Sequence, residues 1–188
     1  GLKDGWGGLL AKIQHYRAAN APRSAEFYDG LENVVLGMQD WIGRHADAAY
    51  AMSREERDPQ ARENLEAIGD INRRLVTEPP SSFREACQWM LWYQSAARMY
   101  NGSGSLGRLD MLLQPFYERD SALGILSDEE AIFHIACLLV RDTAYSQIGG
   151  PDANGIGVTS AVSDLVLEAV HRLRIPANVG VCVGADVP

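Results

Sequence analysis

Apolar side chains recur every three or four residues along most of this chain, the period of a helix with one buried face. Phe27, Leu31, Val34, Val35, Met38, Trp41 and Ile42 carry that period through 25–52, a shorter stretch over 9–17 shares it, and Pro22 separates the two. Asp58-Pro59 predicts the next start, a capping carboxylate followed by proline at the first helical position, where a missing N–H does no harm. Leu65, Ile68, Ile71 and Leu75 then form a one-sided stripe that Pro79-Pro80 ends. Ser82 and Glu85 have the Ser-x-x-Glu spacing of a capping box, so a helix is expected from there to about Tyr100. Its apolar set (Phe83, Ala86, Cys87, Trp89, Met90, Leu91, Trp92, Tyr93) covers more than one face, which predicts protein on most sides of it.

A Gly- and Ser-rich stretch at 101–107 breaks the pattern, which resumes over 109–120 with Pro115 forcing a kink or a second start. Ser127 and Glu130 form another capping box, opening a helix whose segment 131–140 is apolar almost all round except at His134. From Ser146 to Gly157 the texture is that of a turn-rich loop. A helix over 159–174 follows, one-sided through Val162, Leu165, Val166, Ala169, Val170 and Leu173, and Pro176 stops it. The valine-rich run 178–183 predicts a strand. The expected fold is mainly α with a few short β-strands: helical over 1–144, then loop, helix and strand over 145–188.

A length of 188 residues allows one domain or two small ones, and the balance of 46% apolar and 22% charged residues suits a folded chain with its own core. A net charge of −8 argues against a nucleic-acid partner. No uncharged apolar run reaches membrane-span length, and the start lacks the basic-then-apolar order of a signal peptide, so no membrane partner and a cytoplasmic setting are expected. Cys87, Cys137 and Cys182 are odd in number and far apart, which predicts reduced thiols. The chain opens on Gly1 and its first methionine is Met38, the pattern of a processed chain or a piece of something longer.

Several local patterns hint at chemistry. Gly102-Ser-Gly104-Ser-Leu-Gly107 spells a dinucleotide fingerprint, yet that motif needs a strand before it and a strong helix stands there instead. Two readings of the segment stay open: a turn between helices, or a backbone made to approach a ligand closely. His134 and Cys137, three apart, would supply two of the four ligands zinc wants, with no pattern completing the set, so no metal is expected. Asp152-Ala-Asn154-Gly155 lacks the spaced ligands and distal glutamate of a calcium loop and reads as an Asx turn. Asn101-Gly-Ser103 spells a glycosylation sequon that carries no weight without a secretory signal. Nucleophile-elbow, Walker and His-Glu-x-x-His signatures are absent from the sequence.

Three segments together carry a resemblance. Pro79-Pro-Ser-Ser-Phe-Arg-Glu-Ala-Cys-Gln-Trp-Met-Leu-Trp92 is the first. Asn101-Gly-Ser-Gly-Ser-Leu-Gly-Arg-Leu-Asp110 with Pro115-Phe-Tyr-Glu-Arg-Asp120 is the second. Ile148-Gly-Gly-Pro-Asp-Ala-Asn-Gly155 with Leu165-Val-Leu-Glu-Ala169 and Ile175-Pro176 is the third. In order and spacing they resemble the large catalytic domain of the glycyl radical enzymes, the pyruvate formate-lyase-like superfamily, from Gly5 to Val183. The resemblance implies a partial domain over 1–188, contributing to a ten-stranded α/β barrel. It implies a backbone glycyl radical, installed by a separate radical S-adenosylmethionine activase, that oxidises a cysteine to a thiyl, which takes hydrogen from a small-molecule substrate. The expected reaction class is radical cleavage of a C–C, C–O or C–N bond, a lyase, dehydratase or formate acetyltransferase of anaerobic metabolism.

No segment here matches the family's Arg-Val-x-Gly-Tyr-like radical site, so no catalytic residue is assigned and the chain is expected to be inactive alone. Cys182, in an expected strand, lies too close behind Ile175-Pro176 to be the thiyl cysteine. Cys87 and Cys137 fall inside helices, where apolar burial suppresses thiolate. The resemblance assigns substrate contacts to the loop ahead of Leu-Gly-Arg, here Asn101, Ser103, Gly104 and Ser105, with Ser103 directed inward. That loop is one residue shorter than the family pattern, with small residues where relatives carry histidine and serine. The alternatives to an excised enzyme piece are one subunit of a split enzyme, or a non-catalytic helical module. Such a module would bind a partner, or form a homodimer, through the aromatic helix 82–100.

Overall fold

A computed structural model describes residues 1–20, 25–100, 105–141, 145–152 and 154–183. It falls into two compact units, Gly1–Pro80 and Ser81–Pro188.

The first unit holds α1 (Gly5–Ala19), α2 (Ala25–Glu55) and α3 (Pro59–Leu75). Asp58 caps α3 by accepting from the Ala61 N–H at 2.9 Å, the role its position before Pro59 predicted. Helices α2 and α3 run antiparallel: the Tyr50 hydroxyl donates to Asp70 at 2.7 Å, and one turn along Arg73 pairs with Asp47. The Tyr50 ring can lie against α3 because residue 69 is glycine; a Cβ there would come within 2.5 Å of Tyr50 Cε1. Of the apolar stripe expected on α2, Val35, Met38 and Ile42 are buried. Phe27, Leu31 and Val34 instead open onto a groove of about 380 Å³ shared with Leu9, Ile13 and Tyr16 of α1.

The second unit holds α4 (Phe83–Tyr100), β1 (Ser105–Arg108), α5 (Leu109–Ala122), α6 (Asp128–Arg141), β2 (Tyr145–Gly149), α7 (Ala161–Leu173) and β3 (Val179–Cys182). The strands form one parallel sheet in the order β1-β2-β3. Parallel neighbours need crossovers, supplied here by α5 and α6 between β1 and β2, and by α7 between β2 and β3. The mainly helical class with a few short strands is what the pattern predicts, and β3 lies where the valine run put a strand. Two expectations are corrected. Within the supposed helical span 1–144, Ser105–Arg108 is a strand, and the supposed loop from Ser146 begins as one. Both are four or five residues long and glycine-containing, too short to announce a period of two.

Leu109, Leu113, Ile135, Ile148, Val162 and Val166 are all but fully buried and form the core between sheet and helices. Helix α4 contributes Phe83, Ala86, Cys87, Trp89, Met90 and Trp92 of its many-sided apolar set to buried positions, whereas Leu91 is half-buried and Tyr93 is exposed. Pro115 interrupts no helix; α5 runs through it. The box at α6 closes reciprocally, Ser127 N–H donating to Glu130 at 2.9 Å and Glu130 N–H to the Ser127 hydroxyl at 3.3 Å. At α4 the Glu85 N–H donates to the Ser82 hydroxyl, while the Glu85 carboxylate accepts from the Ser81 N–H and hydroxyl at 2.6 and 2.8 Å. The first turn of α4 is also held from α5, where Asp120, nearly fully buried, accepts from the Phe83 N–H at 2.7 Å.

Candidate functional site

Side chains alternate across a strand, and on β2 the two faces differ sharply. Ser146 and Ile148 are buried toward the helices, whereas Tyr145 and Gln147 are exposed. On β1, Arg108 pairs in register with Gln147; on β3, Gly180 does, and a Cβ on Gly180 would lie 3.7 Å from Gln147 Cγ. Cys182, two residues on, shares the face of Gly180. The open side of the sheet therefore carries Tyr145, Gln147, Arg108 and Cys182.

The strands are parallel, so their carboxyl ends gather at one edge, the place where open α/β sheets bind ligands. There β2 ends in Gly149 and Gly150, both at positive φ (70° and 99°), where side chains are strained. A Cβ on Gly149 would reach 2.7 Å from the Cys182 carbonyl oxygen, so glycine lets β2 close on β3. A Cβ on Gly150 would sit 3.0 Å from Cys182 Cβ, and 3.6 Å from both Cys182 Sγ and Arg108 Nη1. The thiol and guanidinium thus flank Gly150.

Asp110 fixes this arrangement from behind. Its side chain is completely buried at the start of α5 and accepts from the Gly149 N–H at 2.8 Å, the Ser163 hydroxyl at 2.9 Å and the Met111 N–H at 2.8 Å. It also takes the Nε and Nη2 edge of Arg108 at 3.2 and 3.5 Å. Burial alone would raise the Asp110 pKa, but the bonds from Gly149, Arg108, Ser163 and Met111 together hold it below the usual 3.8. One carboxylate thereby ties β1, α5, the end of β2 and α7 together. Sequence reading placed Asp110 in a motif without a role; the available signal was an acid directly after Leu109 inside an apolar period.

Of the expected substrate contacts, Asn101, Ser103 and Gly104 lie outside the described residues. Ser105 is exposed at the start of β1, donating its hydroxyl to the Tyr145 carbonyl at 3.0 Å and accepting from the Gly107 N–H at 3.0 Å. The ladder slips between Ser105 and Gly107, a bulge of the kind that re-aims side chains. Elsewhere, Asp152 makes the expected Asx turn, accepting from the Asn154 and Ile156 N–H groups at 2.8 and 3.0 Å. Burial raises the Cys87 thiol far above the ordinary range. Cys137, expected to share that burial, is exposed on α6. Its pKa is still raised, by partial desolvation and against the pull of Arg84. Among the described residues no three His, Cys, Asp or Glu side chains are grouped to hold a metal ion, and no helix is long and apolar enough to cross a membrane.

Comparison with known proteins gives this architecture its class. Residues 1–181 match the family described as pyruvate formate lyase-like, and the chain belongs to it. Isethionate sulfite-lyase of Bilophila wadsworthia is 29% identical over 177 residues, 86% of this chain but 21% of that protein. A glycyl radical enzyme from Archaeoglobus fulgidus superposes with a TM-score of 0.89 at 27% identity, covering 100% of this chain and 28% of that one. The B12-independent glycerol dehydratase from Clostridium butyricum superposes at 0.91 with 21% identity, over 100% and 27%. The chain thus spans about a fifth of the length of the curated relatives it matches.

Proposed function

We propose that these residues build one wall of the reaction chamber of a glycyl radical enzyme. The radical glycine and the thiyl cysteine would belong to polypeptide outside the 188 residues. The supporting observation is the bare face of the sheet. Parallel sheets are covered on both sides, yet here one side of β2 is packed on α5 while Tyr145 and Gln147 on the other are exposed. In the proposed enzyme the remaining barrel covers that face, excluding water and oxygen from radicals formed within. The 1–188 segment is then a single partial domain, in line with a family match that runs unbroken across both compact units.

In this reading Ser105 and the preceding Asn101, Ser103 and Gly104 contact a small-molecule substrate. The glycyl radical supplies, through the thiyl, the hydrogen abstraction, and an activating enzyme installs it. What this chain contributes is shape and polarity: Asp110 sets the end of β2 and the Arg108 side chain, and the glycine pair keeps the edge of the sheet narrow. The relatives named above act on different substrates, isethionate in one case and glycerol in the other.

The test is to incubate the chain with a glycyl-radical activase, reductant and S-adenosylmethionine and record the electron paramagnetic resonance spectrum. No glycyl doublet is expected from these residues alone; a doublet would overturn the reading. The rival reading, an interaction module working through helix 82–100, is no better supported: Phe83, Trp89, Met90 and Trp92 of α4 are buried, while Tyr93, Met99 and Tyr100 are exposed.

A further inference from the structure

We infer that Asn154-Gly155, in the loop between β2 and α7, is a self-modification site that converts to aspartate or isoaspartate through a cyclic imide, and that the turn built by Asp152 restrains it. The inference rests on the chemistry of that loop and holds whatever covers the open face of the sheet.

An asparagine loses its amide when the backbone nitrogen of the next residue attacks its side chain. Here the Gly155 nitrogen gives up its proton and bonds to Asn154 Cγ. The Cγ–Nδ2 bond breaks, and Nδ2 leaves as ammonia with the proton that Gly155 lost. Water then opens the ring: hydrolysis at Cγ gives aspartate, and hydrolysis at the main-chain carbonyl gives isoaspartate, with the backbone running through the side chain. Nothing is oxidised or reduced, and water is the other reactant.

The residue that follows decides how easily the nitrogen reaches Cγ. Of the asparagines in the sequence, Asn101 and Asn154 precede glycine, whereas the others precede Ala, Val, Leu or Arg, whose side chains crowd the approach. Asn101 lies outside the described residues. Asn154 and Gly155 are both exposed, and apart from its chain neighbours no described residue comes within 4 Å of a Cβ built on Gly155. Water and room for the ring are therefore at hand.

Asp152 opposes the reaction in three ways. Its carbonyl accepts the Gly155 N–H at 3.1 Å, which holds the proton that must leave. Its carboxylate accepts from the Asn154 N–H at 2.8 Å and from Asn154 Nδ2 at 3.4 Å, which turns the amide back toward residue 152. That carboxylate is ionised, because the bonds from Ile156 and Asn154 hold its pKa below 3.8, and a negative charge so close disfavours an anionic Gly155 nitrogen. Conversion would undo the same turn. A new carboxylate at 154 replaces a donor with a like charge beside Asp152. Isoaspartate also lengthens a backbone span closed by the Pro151–Gly157 bridge, the Asp152 N–H to Ile156 carbonyl bond at 2.7 Å and the Val158 N–H to Gly150 carbonyl bond at 2.9 Å. Modification therefore loosens the loop that leaves the end of β2.

The experiment incubates the 188-residue chain in neutral buffer, native and in urea. Peptide mass mapping follows amide loss at each asparagine, and enzymatic methylation identifies isoaspartate. Asn178, also exposed but followed by Val179, supplies the background rate. Asn154 should outpace Asn178 in urea and should convert more slowly in the native chain. Asp152→Ala should raise the native rate at Asn154 about tenfold, the equivalent of one charge-assisted hydrogen bond, and change the rate in urea little. Asp152→Asn, which keeps an acceptor but no charge, should fall between. Circular dichroism verifies that each variant is folded.

An Asn154 no faster than Asn178 in urea overturns the site. Equal rates at Asn154 in the native and unfolded chain overturn the restraint, and a folded Asp152→Ala chain that converts at the wild-type rate removes Asp152 from it. None of these readouts involves an activase or a radical, so their failure leaves the chamber reading untouched.

Discussion

At the scale of single residues, Asp110 joins several elements of the second unit. It is a fully buried carboxylate whose bonds reach β1, the end of β2 and α7, so no one contact measures its contribution. Asp110→Ala should lower stability by about 3–5 kcal/mol, because it leaves the Gly149 N–H buried without a partner, takes from the Ser163 hydroxyl its carboxylate acceptor and leaves half of an ion pair uncompensated. Urea unfolding measures this, and a loss below about 1 kcal/mol would mean that the network relaxes around the gap. Little of this was legible beforehand. The Gly-Arg-Leu-Asp run was visible, but the partners of Asp110 come from segments 39 and 53 residues away, and only the parallel crossovers bring them together.

Elements were legible where one local rule set them. Helix α3 starts at Pro59 because Asp58 caps it, and Asp58→Ala should cost about 1 kcal/mol, read from the urea midpoint. Helix α6 likewise begins at its Ser127–Glu130 box. What escaped was decided between elements. Strands β1 and β2 exist because each pairs with a neighbour, and their sequences, Ser-Leu-Gly-Arg and Tyr-Ser-Gln-Ile-Gly, hold too few residues for periodicity to speak. Gly69 is a further case, innocuous in sequence and required by the ring of Tyr50 across the helix pair. Gly69→Ala should destabilise the first unit by about 1–3 kcal/mol through overpacking, although alanine is the better helix former. A stabilised variant would show that Tyr50 has room to turn aside.

For the whole molecule, the charges held by the fold make it acid-labile in two stages. His134 on α6 is partly buried, and that burial, helped by the cation of Arg84 and opposed by Glu130, lowers its pKa from 6.5 to about 4. The unfolded chain takes up this proton below pH 6.5 while the folded chain resists until about pH 4, so stability should fall as the pH drops through that interval. The second stage belongs to carboxylates. Asp110 and Asp152, ordinarily near 3.8, and Glu129 and Glu130, ordinarily near 4.5, are all depressed by the bonds they accept. The stability they confer is complete above those ordinary values and is lost as the pH falls toward the depressed ones. Thermal midpoints recorded from pH 7 to pH 3 should therefore decline first between 6.5 and 4 and more steeply below. In His134→Gln the upper decline should flatten while the lower persists, because only the first stage depends on the imidazole. An unchanged upper slope in that variant would assign the loss to another group and place His134 in water on α6.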